Sequence, residues 1–162
     1  MEATSTHALV ARFHAPELLD SLSRLDLGHS KFGKVVLLRK IGAITSEQKK
    51  VLIELYELRN LVAHDVSNVT FSFSEYVKTL NNSRLKSFVC NLGHGIKEEV
   101  SFSGMLVKRD EFVKSNPKLS MWLTVSEIIA CLNFELELST LRLKRIGLQQ
   151  INSKPSGLLG SN

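Results

Sequence analysis

Cysteine is scarce in this sequence. Only Cys90 and Cys131 occur among the 162 residues, far apart and each in an apolar setting. There is no CxxC pair and no Cys/His cluster, so the sequence predicts no metal site, and no cofactor motif accompanies the cysteines. We expect both thiols to be reduced and buried, as small apolar side chains are.

Long apolar runs and targeting signals are also missing. The N-terminus has no basic region followed by an apolar stretch, which is the pattern of a signal peptide. No apolar run approaches the ~18–20 residues that a bilayer-spanning helix needs. These absences predict a cytoplasmic protein without a membrane segment.

A glycine-rich phosphate loop is absent as well. The segment Gly93-His94-Gly95 lacks the lysine and the spacing that such a loop requires. It could still approach a phosphate, but a plain turn with an exposed histidine is more common at such a segment, and we favour that interpretation of His94.

The remaining composition is that of an ordinary globular domain. Hydrophobic residues make up 43% and charged residues 23% of the chain, which is long enough for one hydrophobic core. The net charge of +5 suits an acidic or nucleic-acid partner, although most proteins with this balance simply have a basic surface. One predicted helix carries four basic residues: Lys31, Lys34, Arg39 and Lys40. They can guide RNA or form a solvated face, and we favour the solvated face.

Apolar residues recur every three or four positions along most of the chain, which predicts an all-α fold. We expect a single helical bundle of about five to seven helices over residues 1–147 and a disordered tail over 148–162. Alternation around Gly104 predicts a small hairpin near 99–107. The predicted helices are 6–27, interrupted near Pro16 with the break at His14 or Ala15, then 30–41 ending at Gly42, 46–64, 74–80, 83–92, 110–114 and 119–146 ending at Gly147.

The clearest helix start lies at Thr45. Thr45 as N-cap and Gln48 three residues later form a capping box, and Glu47 in the first turn suits the helix dipole. An apolar stripe follows at Val51, Leu52, Leu55, Leu58, Leu61 and Val62. The pattern predicts one long amphipathic helix that ends near His64.

The last predicted helix is apolar nearly all round. Such a helix is typical of the centre of a bundle or of a contact with a second subunit. We therefore expect Trp122 and Phe134 to be core or dimer contacts, and not platforms on which bases stack.

Three polar residues lie together in the segment Leu58–Asp65, which reads LRNLVAHD: Arg59, Asn60 and His64. Arg and His near a helix C-terminus favour the helix dipole, and Asn is common near helix ends, so a purely structural role is one interpretation. Because the trio is embedded in the apolar stripe, it lies at the border of the core. That position makes it a candidate functional site.

The order of these residues resembles the HEPN family (higher eukaryotes and prokaryotes nucleotide-binding). The mark of that family is an Arg, a polar residue, and a His four to six residues beyond the Arg. Here four residues separate Arg59 from His64, and Asn60 fills the polar position. The preceding segment IGAITSEQKKVLIELYELRN is also similar to the helix start in that family. The resemblance covers roughly residues 30–65.

The resemblance implies a helical bundle that often forms a homodimer, with the Arg and His of both copies facing one cleft. Active members are metal-independent endoribonucleases, and many are toxins or defence proteins, some partnered by a nucleotidyltransferase-like antitoxin. Inactive members serve in regulation or binding, and one group, similar to the mannitol operon repressor, has lost the Arg-His pair. This sequence keeps Arg59 and His64, which favours the ribonuclease.

The residue chemistry suits RNA cleavage by the 2′-hydroxyl. His64 can take or give a proton near neutral pH, and Arg59 offers a planar fork of donors for phosphate oxygens. Asn60 can orient His64 or hold the phosphate, and Asp65 can hold the imidazole tautomer or face solvent. Positions 59 and 64 differ by ~140° on an ideal helix. Their side chains converge only if the helix frays near Ala63 or if the cleft lies between the two positions. Because each chain supplies one histidine, an acid/base pair of two histidines requires a dimer.

Overall fold

A computed structural model describes residues 1–64 and 71–152, and within these ranges it confirms an all-α fold with a small hairpin. Of the residues that the structure describes, 73% are helical. The helices are α1 (Glu2–Phe13), α2 (Leu19–Ser23), α3 (Lys34–Lys40), α4 (Ser46–His64), α5 (Phe73–Thr79), α6 (Asn82–Leu92), α7 (Arg109–Ser115) and α8 (Pro117–Asn152). The strands are β1 (Glu99–Phe102) and β2 (Met105–Lys108).

The first predicted helix is interrupted by Pro16, as expected. α1 ends at Phe13, and its C-cap His14 adopts the left-handed conformation with φ of 53°. A short 3-10 turn over Pro16–Leu18 leads into α2. Proline at the start of that turn fits its fixed φ and its missing N–H. The break therefore lies where the sequence predicts it.

The second predicted helix is shorter than expected. α3 begins at Lys34, and the chain from His29 to Gly33 forms a turn closed by a bond from the Gly33 N–H to the His29 carbonyl, at 2.9 Å. At its other end Gly42 has φ of 72°. The N–H of Ala43 donates to the Leu38 carbonyl (2.9 Å), which is the glycine-dependent helix end that the sequence predicts.

Lys34 is not part of a solvated basic face. Its side chain is 1% exposed, and its ammonium group donates to the Ser23 carbonyl (2.9 Å) at the end of α2. A second acceptor, Glu2 Oε1, lies 3.4 Å away. A buried ammonium group needs such partners, so Lys34 joins α1, α2 and α3 instead of guiding RNA.

The capping box at the start of α4 is present. The Gln48 N–H donates to Thr45 Oγ1 (3.1 Å), and the Thr45 N–H donates to Gln48 Oε1 (2.9 Å). Each side chain thus satisfies a backbone donor that the first helical turn leaves without a partner. α4 then continues to His64, in agreement with the prediction from the apolar stripe.

The hairpin follows from one tight turn. Strands β1 and β2 are antiparallel, with Phe102 paired to Met105, and the two residues between them, Ser103 and Gly104, have positive φ of 51° and 81°. Positive φ at both central positions is the geometry that matches the twist of a two-residue hairpin. The predicted hairpin near 99–107 is confirmed.

The core lies among α1, α3, α4, α6, α7 and α8. Its fully buried apolar side chains come from elements far apart in the sequence: Leu9, Val35, Leu38, Val51, Leu52, Phe88, Leu92, Val113, Ile128 and Leu132. The face of α8 that joins this core repeats every four residues through Ser120, Thr124, Ile128 and Leu132. Leu136 also packs against the core and Ser139 is 3% exposed, so α8 contributes to the interior as far as Ser139.

The opposite face of α8 is exposed in this chain. Trp122 and Phe134 are 64% and 59% exposed, so neither is a core residue, and their role as dimer contacts stays a prediction. The helix also continues past Gly147, where the sequence predicts its end, to Asn152. A single glycine within a helix costs only about 1 kcal/mol, which is too little to stop a 36-residue helix. The rest of the predicted tail, 153–162, lies outside the described residues.

One helix of the described chain, Pro117–Ile146, is long and apolar enough by composition to cross a membrane. Its most apolar 18-residue window has a mean hydropathy of 1.3, and 22% of that window is buried. A core helix of a soluble protein passes the same criterion, so the finding is a weak indication. The absence of a membrane segment stays a prediction.

Candidate functional site

Arg59 and Asn60 lie on the last turns of α4. The neighbouring Leu58 is 5% exposed and anchors this part of the helix in the core. The Arg59 side chain is exposed and that of Asn60 is half-buried, and Arg59 Nη1 lies 3.5 Å from Asn60 Oδ1. The arrangement leaves a guanidinium group at the surface beside an amide, where both are accessible to a phosphate.

The helix does not fray before His64. α4 keeps its helical backbone from Ser46 to His64, so positions 59 and 64 keep the angular separation of ~140° of an ideal helix. Of the two conditions under which Arg59 and His64 can act together, fraying at Ala63 is therefore excluded. A cleft between the two positions is the condition that is left. The His64 side chain and Asp65 lie outside the described residues.

A tyrosine fixes the neighbouring loop one turn before Asn60. The Tyr56 hydroxyl donates to Asp26 Oδ2 (2.7 Å), which lowers the pKa of that carboxyl. The Tyr56 ring lies on Gly28, where a Cβ would overlap the ring atoms. The loop that follows α2 is thus held against α4 next to the candidate site, which gives Gly28 a packing role that the sequence does not reveal.

A second polar cluster, which the sequence reasoning missed, lies between α4 and α6. Glu54 is 2% exposed, and both of its carboxylate oxygens accept hydrogen bonds. Arg84 Nη2 donates to Oε1 (2.9 Å) and Asn91 Nδ2 donates to Oε2 (3.2 Å). Arg84 also reaches Glu57 Oε2 at 3.1 Å. The sequence does contain a signal of this burial, because Glu54 occupies a core position of the apolar stripe of α4.

These groups line one wall of a cleft with a volume of about 650 Å3. Lys50 and Arg109 add positive charge, and Glu47 and Glu57 add negative charge. Burial raises the pKa of Glu54 despite the attraction of Arg84, which acts in the opposite direction. The cleft thus combines both signs of charge around a desolvated carboxylate, which suits a polar ligand that carries both donors and acceptors.

His94 faces the same cleft and is not the exposed residue of a plain turn. Its side chain is 24% exposed, and Nε2 lies 3.5 Å from Glu127 Oε2 of α8. The buried Thr124 hydroxyl lies 2.8 Å from the Leu92 carbonyl and 3.0 Å from the His94 carbonyl, so it holds the loop on α8. Gly95 has φ of 75°, and a Cβ there would approach Glu127.

The two cysteines differ in exposure. Cys90 is exposed and lines the cleft, so the prediction that both thiols are buried is wrong for Cys90. The reason is helix geometry, because α6 buries Phe88, Val89 and Leu92 and thereby turns position 90 outward. Cys131 is half-buried, and burial raises the pKa of its thiol. Among the described residues no three His, Cys, Asp or Glu side chains group as a metal site.

Comparison of the chain with models of known protein families, with curated protein sequences and with solved structures finds no match. The residues of the candidate site and their geometry therefore carry the functional argument.

Proposed function

We propose that this chain is a metal-independent endoribonuclease of the HEPN type. Its site consists of Arg59, Asn60 and His64, and it acts as a homodimer on RNA in a toxin or defence setting, with a cognate antitoxin as a further partner. One observation carries the proposal: an exposed Arg59 and a half-buried Asn60 are followed by His64 as the last residue of an unbroken helix.

The geometry of the helix supports a shared site. Because α4 stays helical, positions 59 and 64 of one chain lie ~140° apart around the helix and do not form a compact pair by themselves. A second copy of the same segment, facing the first across a cleft, supplies a second imidazole and a second guanidinium group. One histidine then takes the proton of the 2′-hydroxyl while the other protonates the leaving oxygen.

The arginines have a separate role in this scheme. Charge develops on the non-bridging phosphate oxygens during the attack, and a guanidinium group placed at the surface can stabilise it with two parallel hydrogen bonds. Asn60 lies within 3.5 Å of Arg59 and can orient it toward the phosphate. Asn60 is thus a positioning residue for the charge that Arg59 supplies.

The test is RNA cleavage in EDTA by the wild type and by Arg59→Ala and His64→Ala. We expect cleavage to survive chelation and to fall by about 10²–10⁴-fold in His64→Ala and by about 10²–10³-fold in Arg59→Ala. His7→Ala and Arg142→Ala, which remove an exposed histidine and an exposed arginine of other helices, should cleave like the wild type. Cleavage that requires a divalent cation, or that persists in both site variants, contradicts the proposal.

A mixing experiment tests whether the site is shared. Addition of excess His64→Ala chain to a fixed amount of wild type should suppress cleavage, because mixed dimers contain a single imidazole. If each chain is self-sufficient, the added chain leaves the rate unchanged, and the shared site is wrong.

A regulatory or binding protein without catalysis is the second candidate. The cleft beside Glu54 favours it, because a buried carboxylate, Arg84, Asn91 and His94 converge there without any contribution from Arg59. In this case the folded wild type cleaves no RNA, and Arg59→Ala has no effect on partner binding. A ligand in the cleft would slow the alkylation of the exposed thiol of Cys90, which gives a direct readout.

A further inference from the structure

Beyond Ser139, α8 extends past the packed part of the described chain. Ser139 is the last buried residue of α8 that the structure describes, and every side chain that it describes between Thr140 and Gln149 is exposed. The segment from 140 to 152 is 13 residues long. Its apolar side chains Leu141, Leu143, Ile146 and Leu148 are 46–63% exposed, so the described part of this extension presents apolar surface to solvent, where a partner can bind.

The extension carries an apolar stripe with a seven-residue repeat. Phe134, Leu141 and Leu148 are 59%, 59% and 63% exposed and recur at intervals of seven. Residues seven apart lie on nearly the same side of a helix, as residues at one of the two apolar positions of a coiled-coil heptad do. Glu137 and Lys144 flank the stripe at the same interval.

We propose that this stripe binds the same stripe of a second copy in the antiparallel direction, with the two-fold axis at Leu141. In this register Leu141 packs on Leu141 of the second copy, and Phe134 packs on Leu148 of the second copy. Glu137 then lies beside Lys144 and Arg145 of the second copy at both ends of the seam. Opposite charges at flanking positions stabilise a pair of helices and set their direction.

The charges are what exclude the parallel arrangement. In a parallel pair with the same stripe in contact, Glu137 faces Glu137 of the second copy and Lys144 faces Lys144. Like charges in these positions destabilise the pair. The sequence of the extension is therefore complementary to itself in one direction only, and this identifies a second copy of the chain as the occupant.

This contact lies at the far end of the molecule from Arg59. Ala130, Cys131 and Phe134 of α8 line one cavity together with Thr45 and Gln48 at the start of α4. Arg59 comes 13 residues after Ser46, about 20 Å further along the helix in the other direction. The α8 contact thus does not rest on the ribonuclease proposal. Where both contacts form, each chain joins two different partners, and dimers associate into larger assemblies.

Cross-linking of single-cysteine chains tests the register. Cys90→Ser and Cys131→Ser remove the native thiols of the full chain, and Phe134→Cys or Leu148→Cys is then introduced. A mixture of the two variants should form a disulfide-linked heterodimer, because the two positions are opposite each other in the antiparallel pair. Either variant alone should stay unlinked, because its two thiols lie 14 residues apart along the seam, about 21 Å.

Two results overturn the proposal. Linkage of each variant with itself, without any heterodimer in the mixture, indicates a parallel pair, and no linkage in any sample indicates that the stripe does not bind a second copy. RNA cleavage enters neither readout, so the failure of one proposal is distinguishable from the failure of the other.

Sedimentation of charge and apolar variants gives an independent measurement. Leu141→Glu should weaken self-association at this contact at least about tenfold, because it removes a buried leucine and places two carboxylates at the axis. Leu143→Glu is the matched control, since Leu143 is 46% exposed on another side of the same helix, and it should associate like the wild type.

Glu137→Lys should also weaken association, and adding Lys144→Glu and Arg145→Glu should restore it. Circular dichroism of each variant checks that the helix content is kept. Equal association of Leu141→Glu and wild type, or the absence of rescue by the reversed charges, contradicts the antiparallel seam.

Discussion

The two ends of α4 differ in nearly every physical respect, although they belong to one continuous helix. At the first end Thr45 and Gln48 satisfy each other's backbone donors, and Val51 and Leu52 are 0% exposed. At the other end Arg59 is exposed, and Val62 is 39% exposed although it continues the same stripe. The apolar pattern is uniform along the helix, and the burial is not.

This difference in burial indicates that the first end of α4 stabilises the chain and that the second end is available to a partner. The first end is enclosed by α3, α6 and α8 and contributes to the core of a single chain. The second end presents a guanidinium group and apolar side chains on the same two turns. An arrangement of this kind suits a site that a second chain completes, which is what the proposed function requires.

The largest expected effect on stability comes from replacing a valine at the buried end of α4, compared with a valine at its exposed end. Val51→Ala should lower the free energy of unfolding by about 2 kcal/mol, because it removes buried apolar area and leaves a cavity. Val62→Ala should change it by less than about 0.5 kcal/mol in dilute protein. Urea unfolding at one fixed chain concentration measures both, since self-association makes stability depend on concentration. Equal losses at the two positions would mean that both ends belong to the core.

A smaller effect is expected at the capping box. Thr45→Ala removes the acceptor of the Gln48 N–H, and a lost N-cap costs about 1 kcal/mol. Ser46→Ala is the neighbouring control, because its hydroxyl contacts only the exposed Arg39 among the described residues, and it should cost less than about 0.5 kcal/mol. Thermal unfolding of the two variants side by side decides whether the box stabilises α4 as its geometry indicates.

The smallest effect concerns the pH dependence of the middle of α4. Burial raises the pKa of Glu54 in the folded chain above its ordinary value of 4.5. The folded state therefore binds the proton more tightly than the unfolded state, and the contribution of Glu54 to stability is full below pH ~4.5 and falls as pH rises through the folded pKa.

The measurement compares wild type and Glu54→Gln in urea at a series of pH values above 4.5. As pH increases, the free energy of unfolding of the wild type should decrease relative to that of Glu54→Gln. A difference that is flat over this range, or that shifts in favour of the wild type, contradicts the raised pKa of Glu54.

The sequence predicts the local secondary-structure elements well and the burial of individual side chains poorly. The capping box at Thr45, the break at Pro16 and the hairpin at Gly104 depend on residues within a few positions of one another, and all three are confirmed. The burial of Lys34 and the exposure of Cys90 depend on which helices pack together, and there the sequence reasoning was wrong.

The candidate site shows the same division. The positions of Arg59 and His64 near the end of a long helix follow from periodicity, and α4 ends at His64. The second cluster was missed because Glu54 meets Arg84 and Asn91 across 30 and 37 residues of sequence. The position of Glu54 in the α4 stripe indicates burial, but no local pattern specifies that its partners are Arg84 and Asn91 of another helix.

By itself the sequence determined the all-α class, the start and end of α4 and the turn of the hairpin, because propensity, capping and periodicity act over one or two helical turns. Only the tertiary structure decided that Lys34 and Glu54 are buried and that the described side chains of α8 from Thr140 to Gln149 are exposed. These features depend on contacts between segments distant in sequence, and burial arises from the packing of all of them together.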